Sequence, residues 1–219
     1  MIFFDLEFYV PPQERFLPNT KGTLVLNPAR PSNILLGGHF IAQGFKDPKP
    51  RQEKAFWLWK SQDDEKNLLT QIAGFFHEEW LHQQAEEYKI MNKRIDDIVT
   101  CGFAVGRVDL PALYIRSQLL NVKPIEELYT TFLKTRVIDL SQVACFLFPK
   151  EKHFYPKTAN EVAHKLLPKS AWKASGKDVW MMFDEGDYNA IEKRCHDEVH
   201  TCIQIYHLLQ EKLDLCKQK

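Results

Sequence analysis

The chain opens on Phe3-Phe4-Asp5-Leu6-Glu7-Phe8-Tyr9-Val10, an aromatic and β-branched run interrupted by two carboxylates at i and i+2. Side chains alternate along a strand, so Asp5 and Glu7 share one face. Two like charges side by side on a core strand repel and lose hydration, and a bound cation is the usual compensation. The pattern predicts half of a divalent-metal site; the alternative is an edge strand whose polar face is wet. Five prolines between residues 11 and 31, and the turn-like Asn19-Thr20-Lys21-Gly22, predict a loop or small hairpin over the site, with a short strand at 23–26. Residues 33–45 and 54–60 predict two further strands around a turn at 46–50, completing an antiparallel meander.

Helical periodicity follows. Asp63 or Asp64 suits an N-cap, and Leu68, Leu69, Ile72, Phe75, Phe76 and Trp80 recur at three- and four-residue spacing in a helix running toward Arg94. Residues 98–103 return to strand character, and Asp109-Leu110-Pro111 starts a helix through Leu120, proline being tolerated in a first turn. A short strand at 137–140, a mixed region at 141–170 and a long helix at 187–215 complete the chain. Strands in a meander and then alternating with helices predict a mixed α/β sheet flanked by helices.

With 219 residues, 44% hydrophobic, the chain is long enough for one domain spanning 1–219 with a substantial core. Lys+Arg and Asp+Glu both number 29, which excludes gripping nucleic acid mainly through net charge. Five cysteines without a CxxC pair or a secretory signal predict core thiols in a reducing, cytoplasmic setting. No apolar run approaches the roughly 20 residues that span a bilayer.

A two-metal nuclease site needs three or four carboxylates converging from different elements. Candidates are Asp5 and Glu7 on the first strand, Asp109 at a strand-to-helix junction, and Asp197 or Glu198 on the last helix. Their order resembles the DEDD exonuclease superfamily, in particular the 3′-to-5′ exonuclease domain of family B DNA polymerases and its free-standing relatives. Phe4-Asp5-Leu6-Glu7 is like that family's Asp-x-Glu motif. Gly102-Phe103-Ala104-Val105-Gly106-Arg107-Val108-Asp109-Leu110-Pro111 is like its second, although the family has Asn at Ala104 and an aromatic at Val108. The run from Lys173 through Gly186-Asp187-Tyr188 to Arg194-Cys195-His196-Asp197-Glu198-Val199 is similar to the approach to its third, Tyr-Cys-x-x-Asp-Val, with Arg194 at the tyrosine and Glu198 at the aspartate.

The resemblance implies a ribonuclease H-like, five-stranded mixed sheet. It also implies hydrolysis of single-stranded nucleic acid, DNA ahead of RNA, from the 3′ end to nucleoside 5′-monophosphates, using two Mg²⁺ or Mn²⁺ ions. Asp5 would bridge both ions, with Glu7, Asp109 and Glu198 each on one. The family's tyrosine orients or deprotonates the attacking water, whereas Arg194 stays protonated and cannot act as a base. The rival reading is a non-catalytic member of the same fold that binds nucleic acid or protein. Arg107 and Arg116 flank the second motif as candidate phosphate contacts or ordinary surface charges.

Helical phase separates the two neighbouring acids. A buried stripe of Tyr188, Ile191, Cys195, Val199, Cys202, Tyr206, Leu209 and Leu213 places Glu198 about 50° from its centre and Asp197 about 150° away. Glu198 is thus expected inward. His196 and His200 form an i, i+4 zinc-type pair, as in His-Glu-x-x-His proteases. Asp197 stands where those proteases have Glu, and phase turns both histidines to solvent. Neutralising Asp5, Glu7 or Asp109 is expected to remove activity without unfolding the protein, because like charges gathered for metal burden the metal-free fold.

Overall fold

The structure, a computed structural model, describes residues 1–16, 25–44, 49–91, 97–152, 155–167 and 177–217. Five strands, β1 (Ile2–Tyr9), β2 (Ile34–Gln43), β3 (Pro50–Trp57), β4 (Ile98–Gly102) and β5 (Thr135–Asp139), form one sheet in the order β3-β2-β1-β4-β5. β1 to β3 are the antiparallel meander, and β4 and β5 run parallel to β1. This is the ribonuclease H-like, mixed five-stranded α/β arrangement. β1 is hydrogen-bonded on both sides, so the wet-edge alternative for Asp5 and Glu7 falls.

Alternation along β1 sorts the helices. Ile2, Phe4, Leu6 and Phe8 pack with the stripe Leu68, Leu69, Ile72, Phe75 and Phe76 of α1 (Glu65–Met91) and with Leu110, Ala112 and Leu113 of α2 (Asp109–Leu119). Phe4 stacks on Phe40 at 5.5 Å and meets Phe76 edge-on at 5.6 Å. The opposite face begins with Met1 and Phe3, which pack on Val199, Cys202, Ile205 and Leu209 of α7 (Tyr188–Lys217). Asp5 and Glu7 continue that second face, so the last helix lies over the acid pair. α3 (Ile125–Leu128), α4 (Leu140–Val143), α5 (Ala159–Leu166) and α6 (Asp178–Asp184) complete the α-helices among the described residues. None is long and apolar enough to cross a membrane.

Several boundaries differ from the sequence expectation. β3 starts at Pro50 and stops at Trp57, with Leu58–Lys60 a 3-10 turn, because backbone pairing with β2 carries the polar Arg51, Gln52 and Glu53 into an edge strand. β5 starts two residues earlier than expected, and Leu140 opens α4 instead of closing the strand. Asp64 caps α1 by accepting from the Lys66 N–H at 2.9 Å. Residues 25–26 are not strand, while 19–24, the turn at 46–48, the helix end near Arg94 and the run at 173–176 lie outside the described residues.

Arg116 is not a phosphate contact. It is 3% exposed, forks onto Glu65 at 2.8 and 2.5 Å, and donates to the Pro28 and Arg30 carbonyls at 3.3 and 2.8 Å. Glu65 also accepts from the Leu35 N–H at 3.0 Å, so one buried ion pair ties α1, α2, β2 and the loop at 28–30. Arg116→Ala leaves the half-buried Glu65 without its cation and is expected to cost up to about 3–5 kcal/mol. The midpoint of urea unfolding measures this, and an unchanged midpoint would contradict the buried pair.

Candidate metal centre

Asp5 and Glu7 project toward α7 from the middle of the sheet. Opposite Glu7 stands Gly37, with φ +140°, where a Cβ would lie 2.1 Å from the Phe56 carbonyl oxygen and 2.6 Å from the Trp57 ring. Only glycine fits there, and no β2 side chain crowds Glu7. On the other side Phe3 pairs with Cys101, so the loop after Gly102 leaves β4 near the level of Asp5. That loop ends at Asp109, which is 7% exposed in the first turn of α2. A carboxylate at this end of a helix is favoured by the backbone dipole.

α7 supplies the third wall. Glu198 is buried and Asp197 exposed, in the phase expected of the helix. The stripe itself is modified: Ile205 is buried, whereas Tyr188 and Leu213 at the two ends of the helix are exposed. Arg194, one turn before Glu198, donates to Glu198 Oε1 from Nε at 2.8 Å and from Nη2 at 2.7 Å, and its Nε lies 3.7 Å from Glu7 Oε1. Its side chain is 9% exposed. Burial alone would lower its pKa, but the charges of Glu7, Glu198 and Asp5 outweigh that and hold the guanidinium above its usual value. The structure therefore gathers Asp5, Glu7 and Glu198 around one internal cation.

Cys195 is a neighbour that composition treated only as packing. Its Sγ donates to the Asp5 main-chain oxygen at 3.3 Å. Burial, then the charges of Asp5, Glu7 and Glu198, push this thiol far above its ordinary pKa. Without metal it stays protonated and serves as a hydrogen-bond donor. Among the described residues two groups bring ligand-type atoms within 4.8 Å of one another: Asp5, Glu7 and Cys195, and separately His39, Glu53, His196 and His200. Asp109 and Glu198 belong to neither group. Arg107 is exposed on the loop at 103–108.

His196 and His200 keep side chains 45% and 39% exposed, as helical phase expects, and the second group adds that each also meets residues of the sheet. His39 pairs in register with Asp5 and shares its face, which brings it under α7. Its ring lies 4.9 Å from that of His196 and 6.2 Å from that of His200. Burial lowers the His39 pKa, partly offset by the Glu53 carboxylate 2.9 Å away.

Whether the carboxylates gathered around Arg194 suit a divalent ion turns on their donors. Asp5, Glu7 and Glu198 offer hard carboxylate oxygens, the donors that Mg²⁺ and Mn²⁺ take. The guanidinium that balances their charge shows that the position favours a cation, and a metal ion there would take the place of Arg194. The donor set fits.

No protein-family model matches the chain, and no curated protein matches its sequence. Among solved structures it is similar to the family B DNA polymerase from the hyperthermophilic archaeon Pyrobaculum calidifontis, with a TM-score of 0.56 and 18% sequence identity. The match covers 97% of this chain and 24% of the polymerase chain. What the two share is the fold. The chain spans about a quarter of that polymerase's length.

Proposed function

We propose that the chain is a metal-dependent 3′-to-5′ exonuclease of single-stranded nucleic acid, one domain across residues 1–219, in which Asp5, Glu7, Asp109 and Glu198 hold two Mg²⁺ or Mn²⁺ ions. The observation that carries this reading is the convergence of Asp5, Glu7 and Glu198 on a buried cation. Three carboxylates drawn from a central strand and a packed helix are unfavourable without positive charge, and their order along the chain is that of the exonuclease motifs. The fold shared with a DNA polymerase supports a substrate of the same chemical class.

When bound, the ions supply an activated water and neutralise charge on the leaving 3′ oxygen. The chain's own groups orient and balance. Asp109 brings the fourth carboxylate from the start of α2. Arg194 cannot accept a proton, so it does not replace the family's tyrosine as a base. Its role is a counter-charge that releases Glu198 and Glu7 to the metal, after which its fork is free to meet a phosphate oxygen, and exposed Arg107 offers a second such contact.

With formal net charge +0, affinity for a single strand is expected to fall only shallowly with salt. At about 0.7 per neutralised phosphate the log–log slope should be roughly −2 to −3. Fluorescence anisotropy across a salt series reads it, and a slope beyond about −6 would reveal a basic surface. DNA and RNA strands labelled at either end test the function itself: shortening from the 3′ end is expected, and endonucleolytic products would contradict it.

The Arg194–Glu198 ion pair favours a second reading, in which the arginine permanently closes the centre and the chain binds nucleic acid or protein without cutting. Arg194→Tyr, which restores the family's residue, separates the two. If Arg194 blocks the centre, the variant gains metal binding and cleavage that the natural chain lacks. If Arg194 is a displaceable counter-charge, the natural chain already cleaves.

A further inference from the structure

We propose that His39, Glu53, His196 and His200 form a second metal site, separate from the carboxylate centre, for a tetrahedral transition-metal dication of the Zn²⁺ class. The four side chains come from three elements: His39 from β2, Glu53 from β3, and the i, i+4 pair His196 and His200 from α7. All three imidazoles turn a nitrogen toward the same carboxylate oxygen. The Nε2 atoms of His39, His196 and His200 lie 2.9, 3.7 and 3.6 Å from Glu53 Oε1.

Those three spacings lie close to what a tetrahedral ion needs, and all four ligand atoms fall within 4.8 Å of one another. With metal–ligand bonds of about 2.0–2.1 Å, adjacent ligands sit roughly 3.4 Å apart, and the three separations bracket that value. Hydrogen bonding alone does not account for the arrangement, since two of the three contacts are longer than a hydrogen bond. An ion at the centre replaces three competing contacts by four bonds.

The surroundings suit a ligand set as well. Asp197 Oδ1 lies 3.2 Å from His196 Nδ1, while its Oδ2 accepts from Lys193 Nζ at 2.5 Å. A carboxylate on one ring nitrogen fixes the tautomer that leaves the other nitrogen for metal, a frequent support of zinc-bound histidine. Asp197, which the nuclease reading leaves without a role, acquires one. Imidazole donors select zinc and its neighbours over Mg²⁺, so the two centres sort different ions. Four protein ligands close the shell, which marks a structural site and not a hydrolytic one, and gives the His196–His200 pair a purpose unlike that of the zinc proteases. The ion would clamp α7, the carrier of Arg194 and Glu198, to the strands opposite Asp5. This inference does not depend on the nuclease reading.

The test is a Zn²⁺ titration of the whole chain in saturating Mg²⁺, followed by competition with a chromophoric chelator, and a parallel Co²⁺ titration read by visible absorption. One tight Zn²⁺ per chain and the intense bands of tetrahedral Co²⁺ are expected. His200→Gln and Glu53→Gln should each weaken Zn²⁺ at least about tenfold, and Asp197→Asn roughly ten- to a hundredfold. Both ligand substitutions are at partly exposed side chains, and circular dichroism confirms that each variant is folded; if His200→Gln is not, Glu53→Gln carries the test. Asp5→Asn should keep the tight Zn²⁺. Zinc bound equally by the natural chain and by Glu53→Gln, weak octahedral Co²⁺ bands, or loss of zinc in Asp5→Asn would each overturn the site.

Discussion

Arg194→Met is expected to lower the metal-free melting temperature by roughly 6–20 °C. The substitution keeps the aliphatic stem but removes the cation between Glu7 and Glu198, both of which are buried. Stripping one partner from a buried ion pair costs about 3–5 kcal/mol, and each kcal/mol is worth about 2–4 °C in a chain of this length. Added Mn²⁺ or Mg²⁺ should then raise the variant's melting temperature more than that of the natural chain, because the ion takes over the missing charge. Calorimetric melting with and without metal reads both effects. A variant that melts like the natural chain in chelator would mean that Glu7 and Glu198 do not depend on Arg194.

Glu198→Gln is expected to reduce cleavage at saturating metal by at least about a hundredfold, on the order of 3 kcal/mol in activation free energy. Asp197→Asn should cost less than threefold, since its carboxylate is exposed and engages Lys193 and His196. Glu198→Asp installs the aspartate of the exonuclease motif that this stretch resembles and should keep measurable activity with an altered Mg²⁺-to-Mn²⁺ preference. Single-turnover rates, measured below each variant's melting temperature, make the comparison. An inactive Asp197→Asn beside an active Glu198→Gln would move the functional acid by one residue.

The physical reasons for what the sequence revealed are local. Alternation placed Asp5 and Glu7 on one face of β1, and a repeat of 3.6 residues turned Glu198 in and Asp197 out; both depend only on one element's own geometry. Features that depend on partners from elsewhere in the chain were not legible. Arg116 looks like a surface charge until Glu65, 51 residues away, is brought against it. His196 and His200 point away from the centre of their helix's apolar stripe, yet β2 and β3 curl under that flank and meet them with His39 and Glu53.

Arg194 is the instructive case. Motif alignment identified it as a replaced tyrosine and therefore as a lost base, but not as the counter-charge of its own site. The expectation that neutralising Asp5, Glu7 or Asp109 leaves the metal-free fold unharmed is accordingly revised for Glu7, whose carboxylate lies 3.7 Å from the buried guanidinium. α5 carries a local start signal of its own. Thr158 and Glu161 form a reciprocal capping box, a recognisable helix start inside a region that otherwise reads as mixed.

The most direct measurement is release of product from a 5′-labelled single strand incubated with the natural chain and Mn²⁺ or Mg²⁺, beside the same reaction with chelator and with Asp5→Asn. A ladder shortening from the 3′ end, with nucleoside 5′-monophosphate released, is expected only with active carboxylates and metal together. A strand left intact with both metals at every enzyme concentration, or shortened equally by Asp5→Asn, would contradict the assignment of this centre as a metal-dependent exonuclease.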